Sequence, residues 1–315
     1  MENQHFTGEK DAFISELQKR GKSLNTLKNY RTDLNTFENF LVEKKNPRLS
    51  EISDEVLRDY SRFLDQKYNS PNSVRRRVQA LRLFFDWLVE HKKVSENPIK
   101  RVLSAKKVVL PPRPPAMKLV KKIYDQLFAQ THGDDLSALV GKRNLVVFYL
   151  IYGAGLKVSE IESLKERNLF IDDECARVMV DFDPDREPKT IPLGGNFQGL
   201  VKDYLRSLKS FKDNEGHTFS DLLFYSNPYR ILGGKFSARG IEVLFKDLSK
   251  ELSEVVAARD LRQACIVRWI QHQVPESRIK ERMGVRPNYS LTPYKSLAKD
   301  LNDEVFSEII FKHVH

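Results

Sequence analysis

Cysteine is scarce in this sequence of 315 residues. The two cysteines, Cys175 and Cys265, are too few for the disulfide framework of a small secreted domain and too few for a thiolate zinc site. Free thiols persist in reducing compartments, so we expect a cytoplasmic protein.

Long apolar runs are also missing. No stretch approaches the ~18 apolar residues that span a bilayer, and the polar N-terminus MENQHFTGEK lacks the apolar core of a signal peptide. The mean hydropathy of −0.49 and the 40% of hydrophobic residues are typical of a soluble globular protein. The length allows one or two domains, each with its own core, and no membrane partner is expected.

The charge is basic overall, at +10, but it is distributed unevenly. Residues 1–122 hold 26 Lys and Arg against 15 Asp and Glu, whereas residues 123–315 hold 27 against 28. The segment 101–122 alone carries seven basic residues and no acidic one. Such a concentration favours a polyanionic partner, most often nucleic acid. A solvated basic surface explains the charge equally well, so both interpretations stay open on charge alone.

The first hundred residues predict a helical domain. After a candidate N-cap at Ser23, apolar residues recur at spacings of three and four, at Leu27, Tyr30, Leu34, Phe37 and Leu41. Further helices are predicted around Phe13 and Leu17, after Ser53 and after Ser73. Basic residues fall outside the apolar faces, which makes them candidates for contact with DNA phosphate: Lys28, Arg31, Arg75, Arg76 and Arg82. Because Arg75, Arg76 and Arg77 are consecutive in a helix, only one or two of them can face a given partner.

A proline-rich segment predicts the boundary between two domains. Residues 101–117 include Pro111, Pro112, Pro114 and Pro115, and proline excludes regular helix here. We expect a basic, semi-stiff linker over 101–117, preceded by a helical domain with basic outer faces over 1–100 and followed by a second domain over 118–315. Three basic residues of the linker are further candidates for phosphate contact: Lys106, Lys107 and Arg113.

The second domain is predicted to be mostly helical, with one small sheet. Helices are expected at 118–130, 196–211, 237–253, 260–273, 276–283 and 297–311, and a β-hairpin is expected over 176–193. Gly153–Ala154–Gly155 interrupts a strongly apolar stretch, and a helix is expected to restart with Ser159 as its N-cap. Cys265 lies in an apolar helix and is interpreted as a core residue.

Several stretches, taken in order, resemble the tyrosine recombinase (phage integrase, Xer-like) family. They are SLNTLKNYRTDLNTFENFL, LIYGAGLKVSEIESL, RVMVDFDPDREPKTIPLG, ARDLRQACIVRWI and RMGV, with Tyr294 nine residues after Val285. The resemblance implies a mainly α fold. It comprises an N-terminal helical core-binding (SAM-like) domain and a C-terminal, mostly helical catalytic-type domain with a small β-sheet. It also implies chemistry without a metal and without a cofactor, in which a tyrosine attacks the scissile phosphate, a phosphotyrosine forms and a 5′-hydroxyl leaves. The covalent bond retains the energy for rejoining the strand.

The resemblance assigns site residues one by one. Tyr294 stands at the nucleophile position, Arg262 at the second phosphate-binding arginine, and Lys157 at the first-arginine position. Arg259 stands at the first histidine of the His-x-x-Arg-His box, and Lys189, the single lysine of the hairpin, is a possible acid. Three further positions depart from the family pattern, with Pro184 in place of the catalytic lysine and Gln263 and Val285 in place of histidines. Tyr289, after Pro287 and Asn288, is the nearest rival tyrosine and is interpreted as a turn residue.

These departures decide the functional prediction. One preorganised donor is worth ~10²–10³ in rate, and a general acid or base is worth ~10²–10⁴. We therefore expect a protein of recombinase fold that binds duplex DNA sequence-specifically and acts in, or is derived from, site-specific recombination. We expect it to be deficient in DNA cleavage and so to be a pseudoenzyme. The alternative is an active recombinase that uses Tyr294 with rearranged basic residues, and the weakest alternative is an interaction scaffold without DNA binding. Self-assembly on DNA through the C-terminal segment 296–314 and a recombinase or chromosome-factor partner are further expectations from the resemblance.

Overall fold

A computed structural model describes residues 6–45, 49, 52–103, 111–133, 135–172, 176–181, 187–193, 195–227 and 230–298. The chain divides into two compact units, residues 1–110 and residues 111–315. Each unit has its own cluster of buried apolar side chains. The sequence-based domain boundaries at 100 and 117 bracket this division.

The N-terminal unit is built from helices: α1 (Phe6–Lys19), α2 (Leu24–Glu43), α3 (Asp54–Lys67), α4 (Pro71–Glu90) and α5 (Pro98–Val102). The predicted caps at Ser23 and Ser53 are confirmed, because their side chains accept from the backbone N–H groups of Thr26 and Val56. The apolar face predicted for α2 is buried, with Leu34 and Phe37 fully enclosed.

Aromatic rings fill much of this first core. The Phe37 and Tyr60 rings meet edge to face at 4.6 Å between centroids, and Phe6 packs against Phe84 in the same way at 5.1 Å. Edge-to-face pairs add to the stability that burial itself provides. The unit therefore holds α1, α2, α3 and α4 together mainly through apolar packing.

Two boundaries in this unit differ from the prediction. Helix α4 begins at Pro71 with Ser70 as its N-cap, not after Ser73, because proline fits the first helical position, where its missing N–H has no intrahelical partner. Helix α5 reaches Val102 and so extends into the segment predicted as linker, since Asn97 caps it and Pro98 starts it. Residues 111–116 belong to no helix or strand, in keeping with their prolines.

The C-terminal unit is mostly helical and contains two small antiparallel sheets among its described residues. Its helices are α6 (Met117–Ala129), α7 (Leu136–Phe148), α8 (Val158–Ile161), α9 (Gly195–Glu215), α10 (Ala238–Glu251), α11 (Ala258–Gln271), α12 (Glu276–Met283) and α13 (Thr292–Leu297). Its strands are β1 (Leu169–Ile171), β2 (Ala176–Val180), β3 (Lys189–Leu193), β4 (Tyr225–Asn227) and β5 (Arg230–Gly233).

The predicted hairpin is confirmed, with β2 pairing β3 so that Val178 lies opposite Ile191. The sequence missed β1, which extends this sheet in the order β1-β2-β3, and the separate β4-β5 pair. These strands are three to four residues long, too short to show an alternating pattern.

Two helices of this unit differ from the prediction. Helix α8 has Lys157, not Ser159, as its N-cap, because the Glu160 carboxylate folds back to accept from the Lys157 N–H. Helix α13 over Thr292–Leu297 was not predicted, since its six residues include Pro293 and show no periodicity. The helix predicted at 297–311 lies almost wholly outside the described residues.

Candidate phosphate-binding site

The site begins where a long apolar helix ends. Helix α7 continues through a π-helical turn, Tyr149–Gly153, and the chain then reverses at Gly155, whose φ of +65° is a left-handed conformation. A Cβ at Gly155 would lie 2.6 Å from Cη2 of Trp269, so both the backbone and the packing require glycine here. This turn delivers Lys157 to the start of α8.

Helix α11 secures that turn through two arginines. Arg262 donates from Nε to the Gly155 carbonyl at 2.7 Å and from Nη2 to the Met283 carbonyl at 3.1 Å. Arg268 is buried and donates to the carbonyls of Tyr152 and Gly153 at 2.8 and 2.9 Å. The predicted phosphate-binding residue Arg262 is therefore also the link between the turn, α11 and the end of α12.

Lys157 and Lys189 meet at a single carboxylate. The Glu160 side chain is buried, and its Oε1 lies 2.8 Å from Nζ of Lys189 and 3.7 Å from Nζ of Lys157. Burial lowers the pKa of Lys189, and the positive charges of Lys157 and Arg262 act in the same direction. The sequence predicts Lys157, Lys189 and Arg262 as site residues. In the structure, Lys157 and Arg262 lie close enough to Lys189 for their charges to lower its pKa.

Tyr294 joins this cluster from α13. Its side chain is buried, and burial raises the pKa of the Tyr294 hydroxyl to about 12, with a hydrogen bond to the Tyr289 hydroxyl acting in the same direction. The positive charges of Arg262 and Arg259 act the other way on this pKa. Tyr289 closes a turn by donating its N–H to the Arg286 carbonyl, as expected of a turn residue, and it also contacts Tyr294.

The remaining family positions have structural surroundings. Arg259 is exposed at the start of α11. Gln263 is buried, and its Oε1 accepts the backbone N–H of Arg113 at 2.5 Å. Val285 packs against the core and donates its N–H to the Lys280 carbonyl after the left-handed Gly284. Pro184 lies outside the described residues.

Three residues of the site escaped the sequence reasoning. The motifs of the sequence assign no role to Glu160, Arg268 or Arg282. Arg282 stacks over the Trp269 ring at 5.4 Å, and burial lowers its pKa. A Glu three residues after Lys157 is the sequence signal that could have found the capping carboxylate. Cys265 is fully buried, as predicted, and burial raises the pKa of its thiol.

The basic residues predicted to face DNA in the N-terminal unit differ in exposure. Lys28 and Arg31 are exposed on α2. Arg76 is exposed but pairs with the buried Asp33 at 2.9 Å, while Arg77 is buried over the Tyr68 ring at 3.7 Å. The three consecutive arginines therefore do diverge. Arg75 and Arg82 are half-buried, with Arg82 donating to the Leu103 carbonyl.

The linker candidates are described only in part. Arg113 is exposed, whereas Lys106 and Lys107 lie outside the described residues.

Within the part of the chain that the structure describes, no group of His, Cys, Asp and Glu side chains could hold a metal ion. Helices long and apolar enough to cross a membrane are likewise absent from the described residues.

Comparison with known proteins identifies the fold and then the family. Solved structures of similar fold include XerH recombinase in a post-cleavage complex with a palindromic difH substrate, with a TM-score of 0.69, 16% identity, and coverage of 93% of this chain and 84% of that one. A lambda integrase tetramer bound to a Holliday junction gives a TM-score of 0.67 at 14% identity, covering 93% and 78%. The fold is the two-domain fold of the tyrosine recombinases.

Sequence comparisons give the same answer. The family model for the phage integrase N-terminal SAM-like domain matches residues 11–92, and the model for the phage integrase family matches residues 119–299. The chain belongs to the phage integrase family. It is 25% identical to tyrosine recombinase XerC of Anoxybacillus flavithermus over 95% of this chain and 96% of that protein. It is 29% identical to tyrosine recombinase XerD of Shewanella oneidensis over 70% of each.

Proposed function

We propose that this protein binds duplex DNA sequence-specifically, within or derived from site-specific recombination, and that it cleaves DNA poorly or not at all. One observation carries the proposal. Arg262 and Arg259 lie close enough to Tyr294 for their charges to act on its pKa, while the Tyr294 side chain is buried and burial raises that pKa to about 12. Guanidinium groups can hold a phosphate, but the tyrosine stays protonated and needs a base to act as a nucleophile.

The proton-handling positions support the loss of cleavage. Gln263 cannot exchange a proton near neutral pH, and its carboxamide oxygen is engaged with a backbone N–H. The Val285 side chain has no polar atom. Lys157 keeps one positive charge at the first-arginine position but lacks the two-pronged donor set of a guanidinium. Together these replacements remove contributions that are worth ~10²–10⁴ each in rate.

The chain's charge and its relatives support DNA binding. The excess of basic over acidic residues lies within residues 1–122, and exposed Lys28, Arg31 and Arg113 belong to that region. The relatives of similar sequence are named tyrosine recombinases, and the solved structures of similar fold include DNA complexes. The lambda integrase tetramer on a Holliday junction supports self-assembly on DNA as part of the proposal, with the cytoplasm as the site of action.

A binding experiment tests the first half of the proposal. The full chain would select its own duplexes from a random-sequence library, and the affinity for a selected duplex would then be measured across salt concentrations. We expect a linear fall of log affinity with log salt, with a slope set by the number of phosphate contacts. An absence of any duplex binding at low salt would contradict the proposal and favour an interaction scaffold.

A cleavage experiment tests the second half. The selected duplex would be nicked at successive positions, so that a cleaved strand end diffuses away and traps a covalent complex. We expect no covalent adduct after prolonged incubation. An active recombinase is the second candidate, because the charges of Arg259 and Arg262 both lower the pKa of Tyr294. An adduct that forms with the wild type and disappears in Tyr294→Phe would establish it.

A further inference from the structure

Four prolines leave a single backbone donor in the segment that precedes α6. Residues 111–115 have the sequence PPRPP, and proline has no backbone N–H. Arg113 therefore carries the one N–H of these five residues. A segment of this kind cannot join a β-sheet or continue a helix, so a hydrogen bond from its backbone to another part of the chain must use this donor.

That donor is bonded to a side chain of α11. The Arg113 N–H donates to Oε1 of Gln263 at 2.5 Å, across 150 positions of the chain. Gln263 is only 6% exposed. Pro112 is buried as well, whereas Arg113 itself is exposed. The proline segment is therefore attached to the C-terminal unit through its backbone, at its centre.

The neighbouring residue of α11 secures a different segment. Arg262 donates to the carbonyls of Gly155 and Met283. Consecutive residues of a helix point about 100° apart, so one turn of α11 can hold two segments on two of its sides. The entry to the C-terminal unit and the turn at Gly155 are thus fixed to the same buried helix, at positions 263 and 262.

Both partners of the Gln263 bond need each other. A buried amide oxygen that loses its donor keeps the full cost of its desolvation, and the Arg113 N–H has its acceptor in this one side chain. The prolines stiffen the segment, so a single bond at its centre is sufficient to set how it lies against α11.

We propose that Gln263 is a positioning residue that anchors the proline segment 111–116 to α11, and so orders the entry to the C-terminal unit before DNA binds. A segment that is already ordered loses less conformational entropy when the protein binds, and this strengthens binding. The effect on DNA affinity rests on the proposed function, whereas the anchor itself does not. Gln263 thereby has a role other than that of a replaced histidine.

Hydrogen exchange of one amide tests the anchor in the full chain labelled with 15N-arginine. Gln263→Met keeps a side chain of similar length and removes the acceptor. A neutral hydrogen bond is worth a factor of about 2–12 in an equilibrium, so the Arg113 amide should exchange faster by about that factor. Exchange of this amide at the wild-type rate in Gln263→Met would overturn the proposal.

A matched control separates the anchor from general loss of stability. Tyr204 is buried in the same unit, and its hydroxyl donates to the Leu222 carbonyl at 2.7 Å, so Tyr204→Phe also removes one buried bond between a side chain and the backbone. Tyr204→Phe should lower the unfolding temperature and leave the exchange of the Arg113 amide unchanged. Equal acceleration in both variants would show that Gln263 acts only through overall stability, against the proposal.

Duplex affinity tests the consequence for binding. Gln263→Met should weaken binding to a selected duplex by up to the same factor of about 2–12. Two substitutions at the other partner identify the atom responsible, because Arg113→Ala keeps the N–H and Arg113→Pro removes it, while both remove the guanidinium. Gln263→Met should therefore weaken binding further in the Arg113→Ala background and not in the Arg113→Pro background. Proline suits this position, since a residue that precedes proline already favours extended backbone.

The outcomes distinguish the anchor from the proposed function. An equal effect of Gln263→Met in the two backgrounds, or an unchanged affinity in the otherwise wild-type chain, would overturn the role of the anchor in binding. If the wild type binds no duplex, the proposed function fails, and the exchange of the Arg113 amide still decides whether Gln263 anchors the segment.

Discussion

Gly155 offers a quantitative test of how the turn before Lys157 is built. A side chain at its φ of +65° strains the backbone by ~1–2 kcal/mol. The added Cβ would also meet Trp269 Cη2 at 2.6 Å and Cys265 Sγ at 3.2 Å. Overpacking a buried site costs a further ~1–3 kcal/mol. We therefore expect Gly155→Ala to lower the free energy of unfolding of the C-terminal unit by about 2–5 kcal/mol.

Two other glycines of the same unit separate these contributions. Gly216 has a similar φ of +70° but nothing within 4 Å of its Cβ position, so Gly216→Ala should cost only the backbone strain of ~1–2 kcal/mol. Gly199 lies within α9 with equally open space and without a left-handed φ. Gly199→Ala should stabilise the unit by ~0.5–1 kcal/mol.

Fluorescence can follow the relevant unit alone. The chain has two tryptophans, Trp87 in the N-terminal unit and Trp269 in the C-terminal unit, so a Trp87→Phe background leaves Trp269 as the single probe. Denaturant midpoints for the three glycine variants would be compared in that background. Equal costs for Gly155→Ala and Gly216→Ala would refute the close contact with Trp269 as the reason for glycine at 155.

Three further predictions concern titratable groups. In an ultraviolet titration, Tyr294→Phe should remove a phenol that ionises near pH 12, since burial raises the pKa of Tyr294 to that value, and loss of an earlier-titrating phenol would contradict this. The Lys295 ammonium lowers the pKa of Glu276. The pair therefore stabilises the fold fully above the unfolded carboxyl pKa of ~4.3, and this stabilisation is lost as the pH falls through the lower folded pKa. Glu276→Gln should accordingly speed amide exchange in α13 at neutral pH but not in acid. Burial raises the pKa of Asp33, and the charge of Arg76 offsets this only in part. The wild type should therefore lose stability as the pH rises above the unfolded carboxyl pKa of ~3.9 towards the higher folded pKa, whereas Asp33→Asn should not. Chemical denaturation of the N-terminal unit should show the variant gaining stability relative to the wild type over this range.

Local pattern was sufficient for much of the fold. The series from Leu27 to Leu41 predicts α2 because a helix presents one face every three to four residues, and Ser23 and Ser53 identify helix starts through their short acceptor side chains. Short elements escaped the same reasoning. Strand β1 has three residues and α13 has six, so neither shows a period, and packing against longer elements stabilises them.

The order of the motifs predicts that Tyr294, Arg262, Lys157 and Lys189 belong to one family site. Their individual surroundings could not be inferred in this way. Whether a lysine is solvated or buried against a carboxylate depends on contacts such as that of Lys189 with Glu160, which lie 29 positions apart in the chain. The burial of Tyr294 likewise depends on how α13 packs against α11.

The sequence alone determined the scarcity of cysteine, the absence of long apolar runs and the grouping of basic residues in the first 122 positions. It also determined the resemblance to the recombinase family and the replacements at that family's catalytic positions. Only the tertiary structure decided which cations meet and which are already engaged. Lys189 is enclosed between Glu160 and the end of α12, Arg262 spans Gly155 and Met283, and Gln263 is bonded to the chain at Arg113. The physical reason is that charge is a property of each residue, whereas burial and pairing depend on distant segments brought together by folding.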